Sequence, residues 1–191
     1  FERPIEEQVT RIVKNCFEYL DFNFLDWAAV PDCPFWSEDW RAWIDSARET
    51  AERHGARFNQ AHAPCPCFTC AHDPALLHEY IRRAIIGCHI LNIPWMVYHV
   101  IPHPTSFAGK HMWVFDYNHE FFAPVQELAH KYGVGIALEN IWPVYEDMPY
   151  ARTEDLIALV DSFNDPLVGI CWDTGHGNLT QNSHNYKRHN R

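Results

Sequence analysis

Three observations on this 191-residue chain predict a parallel α/β fold of the (β/α)-barrel type. Helical and strand periodicities alternate along it. Four residues able to bind a metal end four consecutive predicted strands. Two of those strands sort small and large side chains onto opposite faces. The alternation implies parallel strands with helices packed outside them. An open, doubly wound sheet is the competing architecture, and the second and third observations favour the barrel.

The elements follow in order. Residues 4–20 place Ile5, Val9, Ile12, Val13, Cys16 and Leu20 on one helical face, and a short apolar stretch runs from Phe22 to Trp27. Ser37 is expected to cap a second helix, with Trp40, Trp43, Ile44, Ala47 and Ala51 inward and Gly55 closing it. Arg57 to His62 reads as a strand. Asp73-Pro74 starts the next helix, a cap followed by proline at the first helical position, with Leu77, Ile81, Ala84, Ile85 and Cys88 as its apolar stripe. Trp95 to His99 is a buried strand. Asn118 starts a helix with Phe122, Val125, Leu128, Ala129 and Tyr132 inward and Gly133 at its end, before the strand Gly135 to Glu139. Thr153 caps a helix carrying Leu156, Ile157, Val160 and Phe163, with Glu154 and Asp155 in the first turn, where the helix dipole favours them. Leu167 to Asp173 is the last strand. No linker or low-complexity segment interrupts the pattern, so residues 1–180 are expected to form one partial (β/α) barrel domain, followed by a polar tail at 181–191.

His62, His99, Glu139 and Asp173 end different strands at spacings of 37, 40 and 34 residues, about one βα unit each. In parallel α/β folds the C-terminal strand ends share one rim, where barrel enzymes keep their sites. Side-chain size agrees. Glu139 shares its face with Ala137 and Gly135, and Asp173 with Cys171 and Gly169. Ile136, Leu138, Val168, Ile170 and Trp172 point the other way, as a narrow interior with helices outside requires. The strand ending at His62 fits less well, because strict alternation turns Asn59 toward the helices.

Asp173-Thr174-Gly175-His176 directly follows a buried strand, and glycine lets the backbone turn so that both polar side chains reach over the rim. A carboxylate with an imidazole suits Mn²⁺, Mg²⁺, Co²⁺ or Zn²⁺. The plainer alternative is an aspartate that caps the following turn beside an exposed histidine. Glu139 ends an apolar strand, where a carboxylate is costly to bury unless a metal or cation pairs with it. A basic partner is the alternative, but Lys131 and Arg152 fall in helical or loop segments. His62 and His99 taken singly read as hydrogen-bonded structural residues, and their weight is collective. His103 lies on the loop above the rim, and Pro34-Phe35-Trp36 with Trp142 are candidates for a pocket wall. Cys65, Cys67 and Cys70, with His72 nearby, raise a rival metal site for zinc or part of an iron–sulfur cluster, set against a loop with incidental cysteines.

Composition narrows the classes. Fifteen basic against 25 acidic residues give a formal charge of −10, which argues against non-specific attraction to nucleic acid. No apolar run reaches the length of a membrane span. Seven cysteines, an odd number scattered over helices and strands, do not form a disulfide framework, and a reducing cytoplasm is the expected location. Phe1-Glu2-Arg3-Pro4 is neither a signal peptide nor an ordinary translation start, so the chain is expected to begin inside a longer protein.

The segments Phe24-Leu25-Asp26, Gln60-Ala61-His62-Ala63-Pro64, Val97-Tyr98-His99, Ala137-Leu138-Glu139-Asn140 and Cys171-Trp172-Asp173-Thr174-Gly175-His176 resemble, in order, strand ends of the xylose-isomerase-like TIM barrel superfamily. That superfamily includes sugar phosphate isomerases and epimerases, inosose dehydratases and endonuclease IV. The resemblance implies about five of the eight strands, the second to the sixth. It leaves the family's histidine near the seventh strand and glutamate on the eighth without counterparts, since His184 and His189 lie on no strand pattern. It implies Glu139 and Asp173 as metal ligands, Glu139 also as a proton-exchanging group, His176 as a group that binds metal or substrate, and His62 and His99 as metal ligands in the endonuclease branch or site-lining residues in many isomerases. The catalytic candidates are Glu139 and His176, and the metal-ligand candidates are Glu139, Asp173, His62 and His99. His103, His176, Asn140 and Trp142 are the candidates for contacting substrate.

The function expected on these grounds is a metal-dependent isomerase or epimerase acting on a small sugar or sugar phosphate through an enediolate, with a homo-oligomer compatible with the sequence. The rivals are an endonuclease-IV-like zinc phosphodiesterase, a dehydratase-type lyase of the same superfamily, and an inactive barrel fragment.

Overall fold

The computed structural model describes residues 3–25, 32–64, 74–100, 111–141 and 152–179. His103, Trp142, Cys65, Cys67, Cys70, His72 and the tail at 181–191 lie outside them. In chain order the elements are α1 (Ile5–Val13), β1 (Tyr19–Asn23), a 3₁₀ turn (Pro34–Trp36), α2 (Trp40–Arg53), β2 (Arg57–His62), α3 (Pro74–Ile90), β3 (Trp95–His99), α4 (His111–Tyr132), β4 (Gly135–Glu139), α5 (Thr153–Phe163) and β5 (Val168–Cys171). Five parallel strands alternating with helices make this part of a (β/α) barrel, as the periodicities predict. The chain forms two compact units, Phe1–Val97 with Glu127–Gly135, and Tyr98–Gln126 with Ile136–Arg191.

In the first unit β1 pairs in parallel with β2, and β2 with β3 through Ala61↔Met96 and His62↔Val97. The register slips once: Leu20 faces Phe58 but Asp21 faces Gln60, so Asn59 is the extra residue of a bulge. The bulge corrects the alternation assumed from sequence. Phe58 and Ala61 are both buried while Asn59 is exposed, so no asparagine is forced toward the helices. Phe22, Phe24, Phe35 and Phe58 form an aromatic core with Trp43, at centroid separations from 4.6 to 6.5 Å. Ile44, Ala47 and Ala51 of α2 and Ile81, Ala84, Ile85 and Cys88 of α3 close it. Gly87 is where α3 comes nearest: a Cβ there would lie 2.7 Å from the Phe24 ring and 2.8 Å from Ile44 Cδ1.

In the second unit β4 pairs in parallel with β5 from Ile136↔Val168 to Glu139↔Cys171. Tyr98 meets Phe122 edge-on at 5.4 Å, and Leu138, Val125, Leu156 and Leu159 are buried. Ile170 and Trp172 are exposed, at 41% and 47%, on the face expected to meet helices.

Several boundaries differ from the sequence expectation. The first helix ends at Val13, and Cys16 adopts φ 67°, a left-handed conformation that stops a helix. Leu20 therefore belongs to β1, where it alternates with Tyr19 and Asp21. Ser37 donates to Pro34 O at the end of the 3₁₀ turn rather than capping α2. Asn118 is buried inside α4, which begins at His111. The residue before α5 is Arg152, with Thr153 already helical, and Leu159 takes the buried place assigned to Ile157. Gly55 and Gly133 end their helices at φ 73° and 67°, as read. Among the described residues Cys16, Cys33, Cys88 and Cys171 are not joined in disulfides. Among the described residues no helix is long and apolar enough to cross a membrane.

Candidate metal centre

β4 is buried at every position, and Glu139 is its last residue. The strand's apolar interior leaves this carboxylate only 3% exposed. Its Oε1 lies 3.4 Å from His176 Nδ1. Its Oε2 lies 3.1 Å from His99 Nε2 at the end of β3, but the two are not aligned for a hydrogen bond. Oε2 thus has no hydrogen bond among the described residues. A carboxylate oxygen in that state is costly unless a cation reaches it.

The chain after β5 supplies the other two groups. Asp173 Oδ1 accepts from the His176 amide at 2.6 Å, and the Gly177 amide bonds to Asp173 O at 3.0 Å, so Asp173 caps the helical segment at 174–179. The capping role weighed in the sequence is real. It uses Oδ1 alone, and the side chain stays 38% exposed. His176 folds back over it with Nδ1 3.7 Å from Asp173 Oδ1. His176 Nδ1 also lies 2.8 Å from the Asn140 carbonyl. A carbonyl only accepts, so Nδ1 donates in this bond, which leaves Nε2 as the ring's other possible ligand atom. Glu139, Asp173 and His176 each bring one ligand atom within 4.8 Å of the others. Ligands about 2.0–2.3 Å from one ion lie at most about 4.6 Å apart, so this grouping is close to the spacing that a shared ion needs. The orphaned Oε2 and the mixed carboxylate–imidazole set therefore fit a divalent cation.

Asn140 is 1% exposed, and its amide is engaged with the backbone of Asp173, accepting from its N at 2.6 Å and donating to its O at 2.9 Å. The sequence reading gave this side chain to substrate.

His62 ends β2 in the first unit. Its Nδ1 sits 3.1 and 3.0 Å from the two carboxylate oxygens of Asp21, and Gln60 donates to Asp21 Oδ2 at 2.6 Å. The carboxylate accepts from Nδ1 and so fixes the orientation of the ring. Asp21 is the residue that sequence reasoning missed. Assigning 4–20 to one helix hid the alternation of Tyr19, Asp21 and Asn23, which would have placed it on the polar face of a strand.

The second unit thus gathers His99, Glu139, Asn140, Asp173 and His176, and the first carries the Asp21–His62 pair. The sequence candidates His103 and Trp142 lie outside the described residues.

The profile of the family described as xylose isomerase-like TIM barrel matches residues 16–189. A D-tagatose 3-epimerase-like protein is 22% identical, with a TM-score of 0.68 over 88% of this chain and 61% of that one. The 3-keto-D-glucoside 4-epimerase YcjR from E. coli is 13% identical, with a TM-score of 0.69 over 94% of this chain and 66% of its own. The IOLI protein with a bound zinc atom is 15% identical, with a TM-score of 0.66 over 90% and 58%. An uncharacterized protein of Methanocaldococcus jannaschii is 30% identical over 104 residues, 54% of this chain and 35% of that protein. The chain therefore spans 61% and 66% of the length of the first two of these structures and about a third of the curated relative.

Proposed function

We propose a function from the premise that this chain belongs to the xylose isomerase-like TIM barrel family: it is a metal-dependent isomerase or epimerase of a small sugar or sugar phosphate. The observation that carries the reading is the Glu139 carboxylate, 3% exposed and with Oε2 lacking a hydrogen bond among the described residues, set beside Asp173 and His176. Solved structures of sugar epimerases with the same fold lend it support.

Glu139, Asp173 and His176 hold the cation, with His99 beside Glu139 as a further candidate ligand. When bound, the cation supplies Lewis acidity that stabilises negative charge developing on neighbouring sugar oxygens. Glu139 takes the proton from the carbon next to the sugar carbonyl, and the electron pair of that C–H bond moves into an enediolate. Returning the proton to the neighbouring carbon gives an isomer. Delivery of a proton to the opposite face of the same carbon by a second general acid gives an epimer, and Glu139 then loses the abstracted proton to solvent. Burial of Glu139 keeps competing water away from its carboxylate. His176, with its proton committed to the Asn140 carbonyl, offers Nε2 to the cation or a substrate hydroxyl. His103 and Trp142 remain candidates for substrate contact, and His62, oriented by Asp21, for a ligand position. The cytoplasm is the proposed location.

The test is deuterium exchange. With Mn²⁺ or Co²⁺ present, ketoses incubated in D₂O are expected to gain deuterium at the carbon beside the carbonyl, and Glu139→Gln is expected to stop it. Absence of both cation binding and exchange overturns the reading.

A further inference from the structure

We propose that Asn140 is the positioning residue of the cation site, its side chain acting as one extra rung of the β4–β5 ladder. The backbone register between the two strands ends at Glu139↔Cys171. One residue further on, the Asn140 side-chain amide takes over. It accepts from the Asp173 backbone N at 2.6 Å and donates to the Asp173 backbone O at 2.9 Å, a peptide-like reciprocal pair. The residue is 1% exposed, so these bonds form away from competing water. The Asn140 carbonyl meanwhile receives His176 Nδ1 at 2.8 Å. One residue, adjacent in sequence to Glu139, thus fixes the backbone that carries Asp173 and the ring orientation of His176.

The chemistry explains why asparagine stands here. The rung needs a donor and an acceptor on one short planar group. Aspartate lacks the donor and would set a charge against the Asp173 carbonyl. Glutamine is one methylene too long for the same approach. The cap at Asp173 ties the Asp-Thr-Gly-His turn only to its own helical segment, and the Asn140 rung ties it to β4 before any cation arrives. Such preorganisation is the usual role of residues behind the ligands, and losing it costs about 10–100-fold in metal affinity.

This inference rests on reading Glu139, Asp173 and His176 as a cation site, and the test separates the two. Asn140→Ala removes the rung, and Asn140→Leu removes it while keeping the volume. Three measurements are made on each full-length variant: thermal melting without metal, amide hydrogen exchange without metal, and titration with Mn²⁺ and Co²⁺. The expected result is faster exchange at the Asp173 and His176 amides in both variants, with Ala61 and Met96 in the other unit unchanged. Mn²⁺ affinity falls about 10–100-fold, and the visible spectrum of the Co²⁺-loaded protein changes, in both variants alike. Unchanged protection at Asp173 and His176 overturns the inference, and so does unchanged Mn²⁺ affinity in both variants. If the unmutated chain binds neither cation, the cation reading falls, while the exchange at Asp173 still decides whether Asn140 holds that turn.

Discussion

Trp95 lies directly over Gly135: a Cβ at Gly135 would sit 2.2 Å from Trp95 Cε3 and 2.4 Å from Cζ3. The Gly135 amide also donates to Pro94 O at 2.8 Å, so the backbone cannot back away cheaply. The start of β4 is therefore glycine because an indole occupies the space of a side chain. Gly135→Ala is expected to destabilise the chain by about 1–3 kcal/mol through overpacking, read as a lower urea midpoint. Adding Trp95→Leu should recover part of that loss, since the two sites couple directly. Additive effects in the double variant would show that the ring had moved aside without cost.

Glu139 sets stability against function. Its carboxylate is buried with one oxygen lacking a hydrogen bond, so Glu139→Gln is expected to leave the metal-free protein as stable or more so. In the unmutated chain a cation at 100 times its Kd should add about 2.7 kcal/mol. The substituted chain should show no such rise in its thermal melt.

Glu79 supplies an acid-sensitive contact on α3. Hydrogen bonds from Arg82, at 2.6 and 2.7 Å, and from Arg83 at 3.0 Å hold its carboxyl down from 4.5 to about 2. A lowered pKa means the contribution is complete above pH 4.5 and drains away as pH falls toward 2. The carboxylate is 37% exposed, so solvent screening keeps the effect small. Glu79→Gln should flatten the pH dependence of the melting temperature in that window, with its small loss of stability fully present near neutrality and vanishing toward pH 2.

Cys16 sits exposed at φ 67°, a conformation that costs most L-residues about 1–2 kcal/mol. Asparagine tolerates it better. Cys16→Asn is expected to raise the melting temperature by about 2–4 °C, the shift that ~1 kcal/mol produces in a chain of this size. A fall would mean that the thiol makes a favourable contact outweighing the strain.

Local patterns carried most of the fold and the metal-binding residue types. The strands ending at His62, His99 and Glu139 have the limits their apolar runs imply, because a run of alternating or continuous apolar residues bounded by glycine or proline leaves the backbone few choices. The stripe Leu77, Ile81, Ala84, Ile85 and Cys88 is buried as its helical spacing requires. Glu139, Asp173 and His176 could be nominated because polar groups ending apolar strands are expensive without a partner. What tertiary structure alone decided are the pairings that cross between strands. The bulge at Asn59 comes from the register of β1 against β2 and reverses a parity that no single strand reveals. Asp21 meets His62 across 41 residues, and the Asn140 amide closes on Asp173 across 33. Those contacts depend on where two separate strands come to rest, and a chain's local periodicity holds no record of that distance.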